Sequence, residues 1–555
     1  MHNLANFLET LDGYFGSSDW FVFLLLGTGL FFTIYLRFPQ VRYFKHAINI
    51  TRGRYDKAHH QGDTSHFGAL SAALSGTVGT GNIAGVALAI HLGGPAAMFW
   101  MMVTAFLGMA TKMVEVSLSH KYREVAADGT ISGGPMYYLK NRLNWKVMAA
   151  IFAFCTILAS LGTGNLPQIN SIANSFESVF GVNKLLIGIV LAIILALIII
   201  GGIKRIANVA QKVIPFMAVL YIVGGIGVLI ANSHNVLPSI VSVFSNVFSS
   251  AAATGGFLGA AFAWVFNRGV NRGLFSNEAG QGSAPIAHAA AKTDEPVSEG
   301  MVSLLEPFID TMIICFFTAL VLLSSGVWSE RFDNSFQKAD TYVVHQTDNK
   351  EHLLAFLSNQ KEGAHLNFSG EITVVNGVIT SPVMVIHNRS IAENVVVSDK
   401  KEVPFTGTLM VAGSRIANDV VLTGKSLLHS APLTSEAFKR SLFGDFGRFF
   451  IPISLLFFAF TTAVAWGYYG DRAVVYLFGT RWVLPFRVCY ALIFIPGAVI
   501  DTTIIWLFTG IGIVLMALPN LIGILWLHKE MRSEVKKYWE KFRKEHPEVK
   551  VPKKW

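Results

Sequence analysis

A run of glycines, hydroxyl side chains and an amide interrupts an apolar stretch early in the chain. It reads Gly-Thr-Val-Gly-Thr-Gly-Asn-Ile-Ala-Gly from Gly76 to Gly85, and the apolar stretch around it extends from about Phe67 to Leu92. That length is enough to cross a bilayer, but the glycines disfavour a plain lipid-facing helix. At membrane depth an unwound backbone is tolerated where it is buried in protein or lines a cavity. The run therefore predicts a broken transmembrane helix.

The chemistry that suits such a break is the binding of a cation and of a small zwitterion. Backbone carbonyls coordinate the cation, and the N–H groups of a half-helix bind a carboxylate. A close helix-packing motif of small residues explains the glycines alone. Thr77, Thr80 and Asn82 favour a binding site, since tight packing requires small residues but no amide.

Two other apolar segments carry polar side chains of the same kind. Gln168 follows the loosening sequence Gly162-Thr163-Gly164-Asn165, and it either bonds a neighbouring helix or reaches a substrate. Thr461 and Thr462 are adjacent in an apolar helix, where their hydroxyls either bond their own backbone or supply two oxygens to Na⁺. In the second case unwound carbonyls near Val78 complete the ion site.

Charged side chains inside apolar segments need a structural or functional reason. Lys112 and Glu115 lie one helical turn apart and are placed to pair, and Glu306 and Asp310 share one helical face. Asp310 either serves the ion site or bonds the loop that holds Glu278. We expect structural roles for Glu278 and Glu306.

The composition indicates a polytopic membrane protein. The chain has 555 residues, of which 52% are hydrophobic and 14% charged, which is more apolar than a soluble protein. The net charge of +9 is explained by a face apposed to anionic lipid, so we expect no nucleic-acid partner. About eleven stretches have spanning length, at about 18–36, 67–92, 95–119, 146–178, 183–202, 209–231, 250–290, 301–326, 444–467, 483–501 and 503–527.

The distribution of Lys and Arg predicts the orientation. Residues 1–20 contain acidic side chains but no Lys or Arg, whereas the following loop of about 37–57 is rich in Lys and Arg. Basic loops stay on the cytoplasmic side, so we expect the N-terminus outside the inner membrane. The Lys-rich segment 529–555 is then a cytoplasmic tail.

The order of the apolar stretches suggests a repeat. Without the first stretch about ten remain, and the interrupted ones at 67–92 and 250–290 each open a block of five. The second block starts from the opposite side of the membrane, which is the pattern of an inverted-topology repeat with a substrate site between its broken helices. The first repeat covers about 67–232 and the second begins at about 250. In the second broken segment, Phe262 and Trp264 are candidates to enclose an apolar side-chain pocket.

A polar segment at 331–428 divides the second repeat. From about Leu366 to Leu428 it alternates in short β-rich runs parted by turn sequences such as Asn376-Gly377. We expect a small β domain on the outer side, outside the transport path, and no residue cluster identifies its partner. The chain then divides into membrane parts at 1–330 and 429–528, the β-rich insertion 331–428 and the tail 529–555.

Several motifs resemble the alanine or glycine:cation symporter family. They are Gly68 to Ser71, Gly79 to Val86, Gly93 to Pro95, Gly108 to Lys112, Gly133 to Tyr138, Arg272 to Gly280 and Pro519 to Leu521. The resemblance extends over nearly all of the membrane part and does not cover about 331–428. It implies an all-α membrane protein with a LeuT-like five-plus-five inverted repeat. It also implies Na⁺-coupled import of small neutral amino acids such as alanine, glycine or serine by alternating access.

The resemblance, together with the residue types above, gives the expected sites. The residues expected at the amino-acid site are Thr77, Gly79, Thr80, Gly81, Asn82, Gln168, Phe262 and Trp264. The residues expected to bind Na⁺ are Val78, Asn82, Thr461, Thr462 and Asp310. The only cofactor expected is the co-transported Na⁺.

Other functions fit the sequence less well. The chain has no Gly-x-x-x-x-Gly-Lys-Ser/Thr loop for a nucleotide, and we expect no catalytic residues. His91 and His288 stand apart from other ligand residues in sequence, so they indicate packing positions. A transporter-like sensor and an H⁺-coupled amino-acid transporter remain as alternatives.

Overall fold

The structure is a mostly helical computed structural model. It describes residues 2–16, 18–56, 61–245, 247, 262–349, 352–353, 356, 364–500 and 502–549. The predicted residues of the second broken segment before Phe262, namely 250–261, lie outside the described residues.

The helices follow the apolar stretches of the sequence. Those of the first half are α1 (His2–Tyr14), α2 (Asp19–Tyr35), α3 (Pro39–Arg42), α4 (Phe44–Thr51), α5 (His66–Thr77), α6 (Val86–Gly93), α7 (Ala96–Lys121), α8 (Pro135–Asn141), α9 (Lys146–Gly162), α10 (Leu166–Phe180), α11 (Lys184–Ile199), α12 (Gly202–Ala231) and α13 (Ser233–Ser245). Those of the second half are α14 (Phe262–Asn277), α15 (Ala284–His288), α16 (Pro296–Val302), α17 (Leu305–Pro307), α18 (Phe316–Ser325), α19 (Ser430–Lys439), α20 (Phe450–Phe478), α21 (Val483–Gly497), α22 (Thr502–Trp526) and α23 (His528–Glu545). Two π-helical segments, Gly81–Gly85 and Phe308–Cys315, precede α6 and α18.

Within the described ranges, six helical stretches are long and apolar enough to cross a membrane. They are Ala96–Lys121, Lys146–Phe180, Gly202–Ala231, Pro296–Ser325, Gly444–Phe478 and Ile504–Trp526. The pair formed by α5 and the helix from Gly81 to Gly93 gives a seventh if it counts as one span. Two shorter apolar helices, α2 and α11, accompany them. The total of about eleven crossings stays a prediction.

The predicted break in the first segment is present. Helix α5 begins after Ser65, whose side chain accepts a hydrogen bond from the Gly68 N–H, and it ends at Thr77. The π-helical turn Gly81–Gly85 then leads into α6 at an angle of 53° to α5. Glycines disfavour a continuous helix here, and the chain between the two halves is buried in protein.

In the described part of the segment that the sequence predicts as β-rich, ten strands lie between Arg331 and Leu427. They are β3 (Arg331–Ser335), β4 (Thr341–His345), β5 (Gly370–Val375), β6 (Val378–Ile379), β7 (Val383–His387), β8 (Ser390–Ile391), β9 (Glu393–Ser398), β10 (Gly407–Ala412), β11 (Arg415–Ile416) and β12 (Val421–Leu427), after the short pair β1 (Glu124–Val125) and β2 (Ile131–Ser132). The antiparallel sheets have the orders β11-β10-β5-β6, β3-β12-β9 and β4-β7-β8. Alternate residues of β5 and β10 are buried, and Ile372, Val374 and Leu409 form part of a separate apolar core. The side of the membrane on which this segment lies stays a prediction.

The basic C-terminal segment forms a packed helix, α23, from His528 to Glu545. Helix α23 is amphipathic and buries Val535, Trp539 and Phe542. Its first turn carries Glu530, which accepts hydrogen bonds from Lys121 Nζ and Arg142 Nε at 2.5 Å each and a further one from the Tyr122 hydroxyl. The helix is therefore fixed to α7 and α8 by apolar packing and by one multiply bonded carboxylate.

We expect α23 to loosen at acidic pH. Burial of Glu530 opposes its ionisation, but the hydrogen bonds from its basic and phenolic neighbours outweigh that effect and lower the pKa of the carboxyl. A lowered folded-state pKa gives stabilisation that is complete above the ordinary glutamate pKa and is lost as the pH falls through the lowered value. The protection factors of the α23 amides, which correct for the intrinsic pH dependence of exchange, should therefore fall on acidification, and Glu530→Gln should show lower protection factors at neutral pH. Glu540→Gln, whose partner Lys536 is 3.8 Å away, is the control and should exchange like wild type.

The buried charges correct the predicted pairing of Lys112. Lys112 Nζ donates to Glu306 Oε1 at 2.9 Å, so its hydrogen-bonded partner is Glu306 and not Glu115. Glu115 accepts instead from Asn520 Nδ2 at 2.6 Å and from a backbone N–H. Glu278 accepts from the Trp466 Nε1–H at 2.8 Å. These carboxylates join separate helices, in line with the structural roles expected for Glu278 and Glu306.

Candidate functional site

The break between α5 and the π-helical turn is fully enclosed. Thr80 and Asn82 have no exposed surface, Val78 is 1% exposed and Thr77 is 4% exposed. Backbone polar groups in such a place need partners other than water. Each of the two N–H groups at the turn finds one in a side-chain amide.

Asn82 holds the first of these N–H groups. Its Oδ1 atom accepts a hydrogen bond from the Gly79 N–H at 2.9 Å, while its Nδ2 atom donates to the Asp310 carboxylate at 2.7 Å. Nδ2 also lies 3.1 Å from the Asp310 carbonyl oxygen. The amide therefore bridges the break and the π-helical segment Phe308–Cys315.

Asp310 is the centre of a small polar cluster. Its Oδ2 atom accepts hydrogen bonds from Ser276 Oγ at 2.6 Å and from Thr311 Oγ1 at 2.7 Å. Its bond to Asn82 brings the carboxylate to the break, so both interpretations of Asp310 from the sequence contain part of the geometry. It is bonded to α14 through Ser276, and it orients the amide that caps Gly79.

Gln168 holds the second N–H group. Its Oε1 atom accepts from the Thr80 N–H at 3.1 Å, and its Nε2 atom donates to the Thr163 carbonyl at 3.0 Å. Thr163 lies in the gap between α9 and α10, so one side chain links two interrupted helices. The Thr80 hydroxyl donates to Ser171 Oγ at 2.7 Å. Ser171 was not predicted, although its position three residues after Gln168 places it on the same face of α10.

The two adjacent threonines of α20 point in different directions. A Cβ atom built on Gly79 would lie 2.3 Å from Thr462 Oγ1, so this hydroxyl packs directly against the break. Thr461 Oγ1 instead lies 3.9 Å from the sulfur of Met217 in α12. Both hydroxyls donate to carbonyls of their own helix, Thr461 to Phe457 at 2.8 Å and Thr462 to Phe458 at 3.1 Å. Of the predicted pair, Thr462 alone is brought against Gly79.

A hydroxyl that donates its hydrogen still has lone pairs for a cation. Thr462 therefore remains able to serve as an oxygen ligand beside the carbonyls of the break. Thr77 also donates within its own helix, to the Leu74 carbonyl at 3.4 Å. The N–H of Val78, the residue that follows α5, donates to the same carbonyl at 2.8 Å. Oxygen atoms of these kinds are the ligands that suit Na⁺.

Gly81 packs against an aromatic ring that lines a cavity. A Cβ atom at this glycine would meet the Phe275 ring at 3.1 Å, and the same ring packs edge-on against Trp506 at 4.9 Å. Phe275 and Trp506 both line a cavity of about 330 Å³ that extends away from the break. Phe275 thus lies between Gly81 of the π-helical turn and that cavity.

Phe262 and Trp264 differ in their relation to this cavity, since Trp264 lines it and Phe262 is not among the residues that line it. Phe262 is 41% exposed and packs near Trp100, with ring centroids 5.9 Å apart. Trp264 lines the cavity and donates its Nε1–H to the Leu92 carbonyl of α6 at 3.1 Å. The structure therefore brings Trp264, but not Phe262, to the cavity that Phe275 also lines. Their place at the amino-acid site stays a prediction.

The β-rich segment contributes to the same cavity. Asp340, Tyr342, Asn388 and Arg389 line it, and the Arg389 guanidinium lies 4.7 Å from the Trp264 ring centroid. Through these residues the insertion forms one side of the cavity. Its position outside the transport path stays a prediction. A lone arginine among β-strand residues gave no signal of that contact in the sequence.

Comparison with known proteins places these residues in a family context. A family model described as the sodium:alanine symporter family matches residues 1–357 and 401–552. The sodium/alanine symporter AgcS of Methanococcus maripaludis is 36% identical over 521 residues, which cover 93% of this chain and 93% of that protein. The probable sodium/glutamine symporter GlnT of Bacillus subtilis is 38% identical over 329 residues, which cover 59% of this chain and 67% of that protein. The crystal structure of MhsT in complex with L-phenylalanine is similar with a TM-score of 0.49 and 13% identity, covering 83% of this chain and 89% of that one.

The family match reaches further into the β-rich segment than the sequence motifs do. The motifs leave about 331–428 uncovered, whereas the family model leaves out the shorter stretch 358–400. Arg389 lies within that stretch. The contact between Arg389 and Trp264 is therefore made by a part of the chain that the family model does not describe.

Proposed function

The chain belongs to the sodium:alanine symporter family, and we propose that it is a Na⁺-coupled importer of small neutral amino acids such as alanine, glycine or serine. The single observation that carries the proposal is the enclosed break at Val78 to Asn82. A site of unwound backbone inside the helical bundle offers N–H groups for a carboxylate and carbonyl oxygens for an alkali ion.

The hydrogen bonds at the break support this chemistry. The Gly79 and Thr80 N–H groups are held by the amide oxygens of Asn82 and Gln168. An amide oxygen and a carboxylate oxygen accept the same hydrogen bond, and the charged acceptor binds more strongly. The carboxylate of an amino acid therefore takes the place of these amide oxygens, and the Asn82 and Gln168 side chains turn to contact the bound molecule.

The ion site lies on the other side of the same turn. Thr462 Oγ1, the carbonyl of Val78 and, after release from Gly79, the side-chain oxygen of Asn82 supply neutral oxygens. Asp310 supplies the negative charge next to Asn82 and compensates the positive ion. Sharing Asn82 between substrate and ion couples their binding, because each ligand favours the same arrangement of the amide.

The amino acid enters from the cavity beside Phe275. We place this cavity and the β-rich segment outside the inner membrane, with the N-terminus outside and the C-terminus in the cytoplasm, on the basis of the Lys and Arg distribution. Access alternates between the two sides by movement of one five-helix repeat against the other. Small side chains are favoured because Thr462, Gln168 and Phe275 crowd the glycines of the turn.

The test is uptake into proteoliposomes that contain the purified protein. We expect labelled alanine to accumulate with an inward Na⁺ gradient and not when choline replaces Na⁺. Unlabelled glycine and serine should compete, whereas leucine and glutamine should compete poorly. Accumulation driven equally well by a proton gradient without Na⁺ would support the H⁺-coupled alternative, and tight alanine binding without any accumulation would support a sensor.

Arg389 is expected to affect entry of the substrate rather than its binding at the break. Its guanidinium lies on the Trp264 ring together with that of Arg268, at 4.7 and 4.2 Å from the ring centroid. Partly buried contacts of this kind contribute about 0.5–2 kcal/mol. Arg389→Gln should raise the KM for alanine several-fold while equilibrium binding of alanine at saturating Na⁺ is unchanged.

A matched variant exists in the same segment. Arg415 makes an equivalent contact with Tyr342, at 4.1 Å, and does not line the cavity. Arg415→Gln should therefore leave the KM at its wild-type value. A similar rise in both variants would show that the effect comes from a weakened β-rich segment and not from the cavity.

A further inference from the structure

The cavity next to the break has a positively charged lining. It includes the guanidinium groups of Arg268 and Arg272 in α14 and of Arg389 in the β-rich insertion. The carboxylates that line it, among the described residues, are those of Asp12 and Asp340. Three guanidiniums against two carboxylates leave one net positive charge when the histidines are neutral. A concave site of this kind attracts an anion.

Arg272 is the guanidinium best placed to bind such an anion. It is half-buried and lies over the Trp506 ring, 4.7 Å from the ring centroid, at the wall of the cavity. Asp12 attracts it and Arg268 repels it, but no hydrogen bond or ion pair holds its N–H groups within the described part of the chain. A guanidinium that stacks on a ring keeps its in-plane donors for bidentate binding of a carboxylate.

Aromatic side chains form much of the remaining wall of the cavity. They are Trp264, Phe275, Tyr342, Phe356 and Trp506. A ligand ring packs favourably against such side chains, either offset or edge-on. The cavity volume of about 330 Å³ falls in the range of sites that enclose whole organic molecules. The wall therefore favours an organic anion with an aromatic ring over a bare inorganic ion.

The acidic residues of the lining limit the charge of the ligand. Asp12 and Asp340 repel a second negative charge, which disfavours a phosphate monoester or a dicarboxylate. A zwitterion has no net charge and gains less from the positive lining than a monoanion does. The lining is thus complementary to a ligand with one carboxylate and no ammonium group.

This site is separate from the break. The Phe275 ring packs edge-on against Trp506, with ring centroids 4.9 Å apart, and lies 3.1 Å from the position of a Cβ atom on Gly81. A carboxylate bound to Arg272 therefore lies on the cavity side of Phe275, and the break lies on the other side. The two sites can be occupied at the same time.

Part of the wall comes from a stretch that the family model does not describe. Asn388 and Arg389 line the cavity and lie within the unmatched residues 358–400. The Arg389 guanidinium lies over the Trp264 ring and so connects the insertion to α14. The shape and charge of the cavity therefore depend on this insertion.

We propose that the cavity binds an aromatic monocarboxylate, with its carboxylate on Arg272 and its ring against the aromatic wall, and that the bound anion blocks the path of the amino acid to the break. The binding is independent of the proposed function, whereas the block of uptake rests on it. The chain then has a second small-molecule site, through which an organic anion slows import without displacing the amino acid from the break.

The first measurement is equilibrium binding of labelled hydrocinnamate to the purified full-length protein without Na⁺ and without alanine. Wild-type protein should bind it saturably. Phenylalanine adds an ammonium group to the same skeleton, phenethylamine lacks the carboxylate and hexanoate lacks the ring, so each should bind about tenfold more weakly or worse. Absence of saturable hydrocinnamate binding overturns the inference, and so does equally tight binding of any of the three analogues.

Substitutions at the cavity locate the bound anion. Arg272→Gln should weaken hydrocinnamate binding by about tenfold or more, because it removes the charge and the bidentate donors. Arg389→Gln should weaken it several-fold and decides the question if Arg272→Gln does not elute as folded protein. Arg532→Gln is the matched control, since Arg532 lies over the Tyr35 ring at 5.2 Å and does not line the cavity, and it should bind like wild type. Wild-type affinity in both cavity variants overturns the site, and so does an equal loss in the control.

Uptake separates this inference from the proposed function. External hydrocinnamate should lower the initial rate of Na⁺-driven alanine uptake into proteoliposomes, and Arg272→Gln should need more of it by the same factor by which its binding is weakened. Binding by wild-type protein without inhibition overturns the block of the path. Failure of Na⁺ to drive uptake in wild-type protein without hydrocinnamate overturns the proposed function itself, while the binding measurements still decide on the anion site.

Discussion

Replacing Gly79 with alanine is expected to abolish most transport while the protein stays folded in the membrane. The added Cβ atom would lie 2.3 Å from Thr462 Oγ1 and 3.1 Å from Gln168 Oε1, and atoms do not approach that closely without a shift. Overpacking of a filled interior costs about 1–3 kcal/mol. Here that cost falls on the side chains that we assign to the ion and the substrate, so uptake should fall by about tenfold to a hundredfold, because each 1.4 kcal/mol is a factor of ten.

Gly27 provides the control for this substitution. It also lies in an apolar helix, α2, but a Cβ atom there would meet nothing within 4 Å. Gly27→Ala should therefore transport like wild type, and both variants should elute as folded protein in size-exclusion chromatography. Wild-type uptake by folded Gly79→Ala would show that the contact between Thr462 and the break has no part in transport.

The break itself was predictable because its cause is local. Four glycines with hydroxyl neighbours in an apolar stretch disfavour a continuous helix whatever surrounds them. The same holds for Gln168, which follows a loosened sequence and is found bonded to the Thr80 N–H. In both cases the residues could be predicted from the sequence, whereas the hydrogen-bond partner of each polar atom is known only from the structure.

The directions in which the Thr461 and Thr462 side chains point could not be predicted from their being neighbours in the sequence. Thr461 and Thr462 are neighbours in sequence, but successive residues of an α-helix point about 100° apart, so one faces Gly79 and the other faces Met217. Which of the two faces the break depends on how α20 is rotated against α5 and α12. That rotation is set by packing along the whole helix and cannot be inferred from the two threonines alone.

Contacts between distant parts of the chain were missed for a similar reason. His66 and Glu299 belong to different segments, and no short motif relates them, although the fold brings them into contact. Trp264 was expected near the substrate because it belongs to a broken segment. It also lies against Arg389, which comes from a part of the chain without a recognisable site pattern.

The different directions of the two threonines lead to the sharpest test of the ion site. Thr462→Val keeps the volume of the side chain and removes one oxygen that faces the break, and loss of a buried partner costs about 1–3 kcal/mol. The apparent affinity for Na⁺ should therefore fall by about 5- to 150-fold. The measurement is alanine uptake as a function of Na⁺ concentration at fixed membrane potential.

Thr461→Val is the matched variant. It makes the same chemical change one residue away, and it removes a hydrogen bond to the same helix, at 2.8 Å compared with 3.1 Å for Thr462. Any loss that arises only from the backbone of α20 is thus common to both variants and cancels in their comparison. The Na⁺ dependence of Thr461→Val should resemble that of wild type. Equal losses of Na⁺ affinity in the two variants would mean that the hydroxyls serve only their own helix, and the ligand assigned to Thr462 would then have to come from elsewhere in the break.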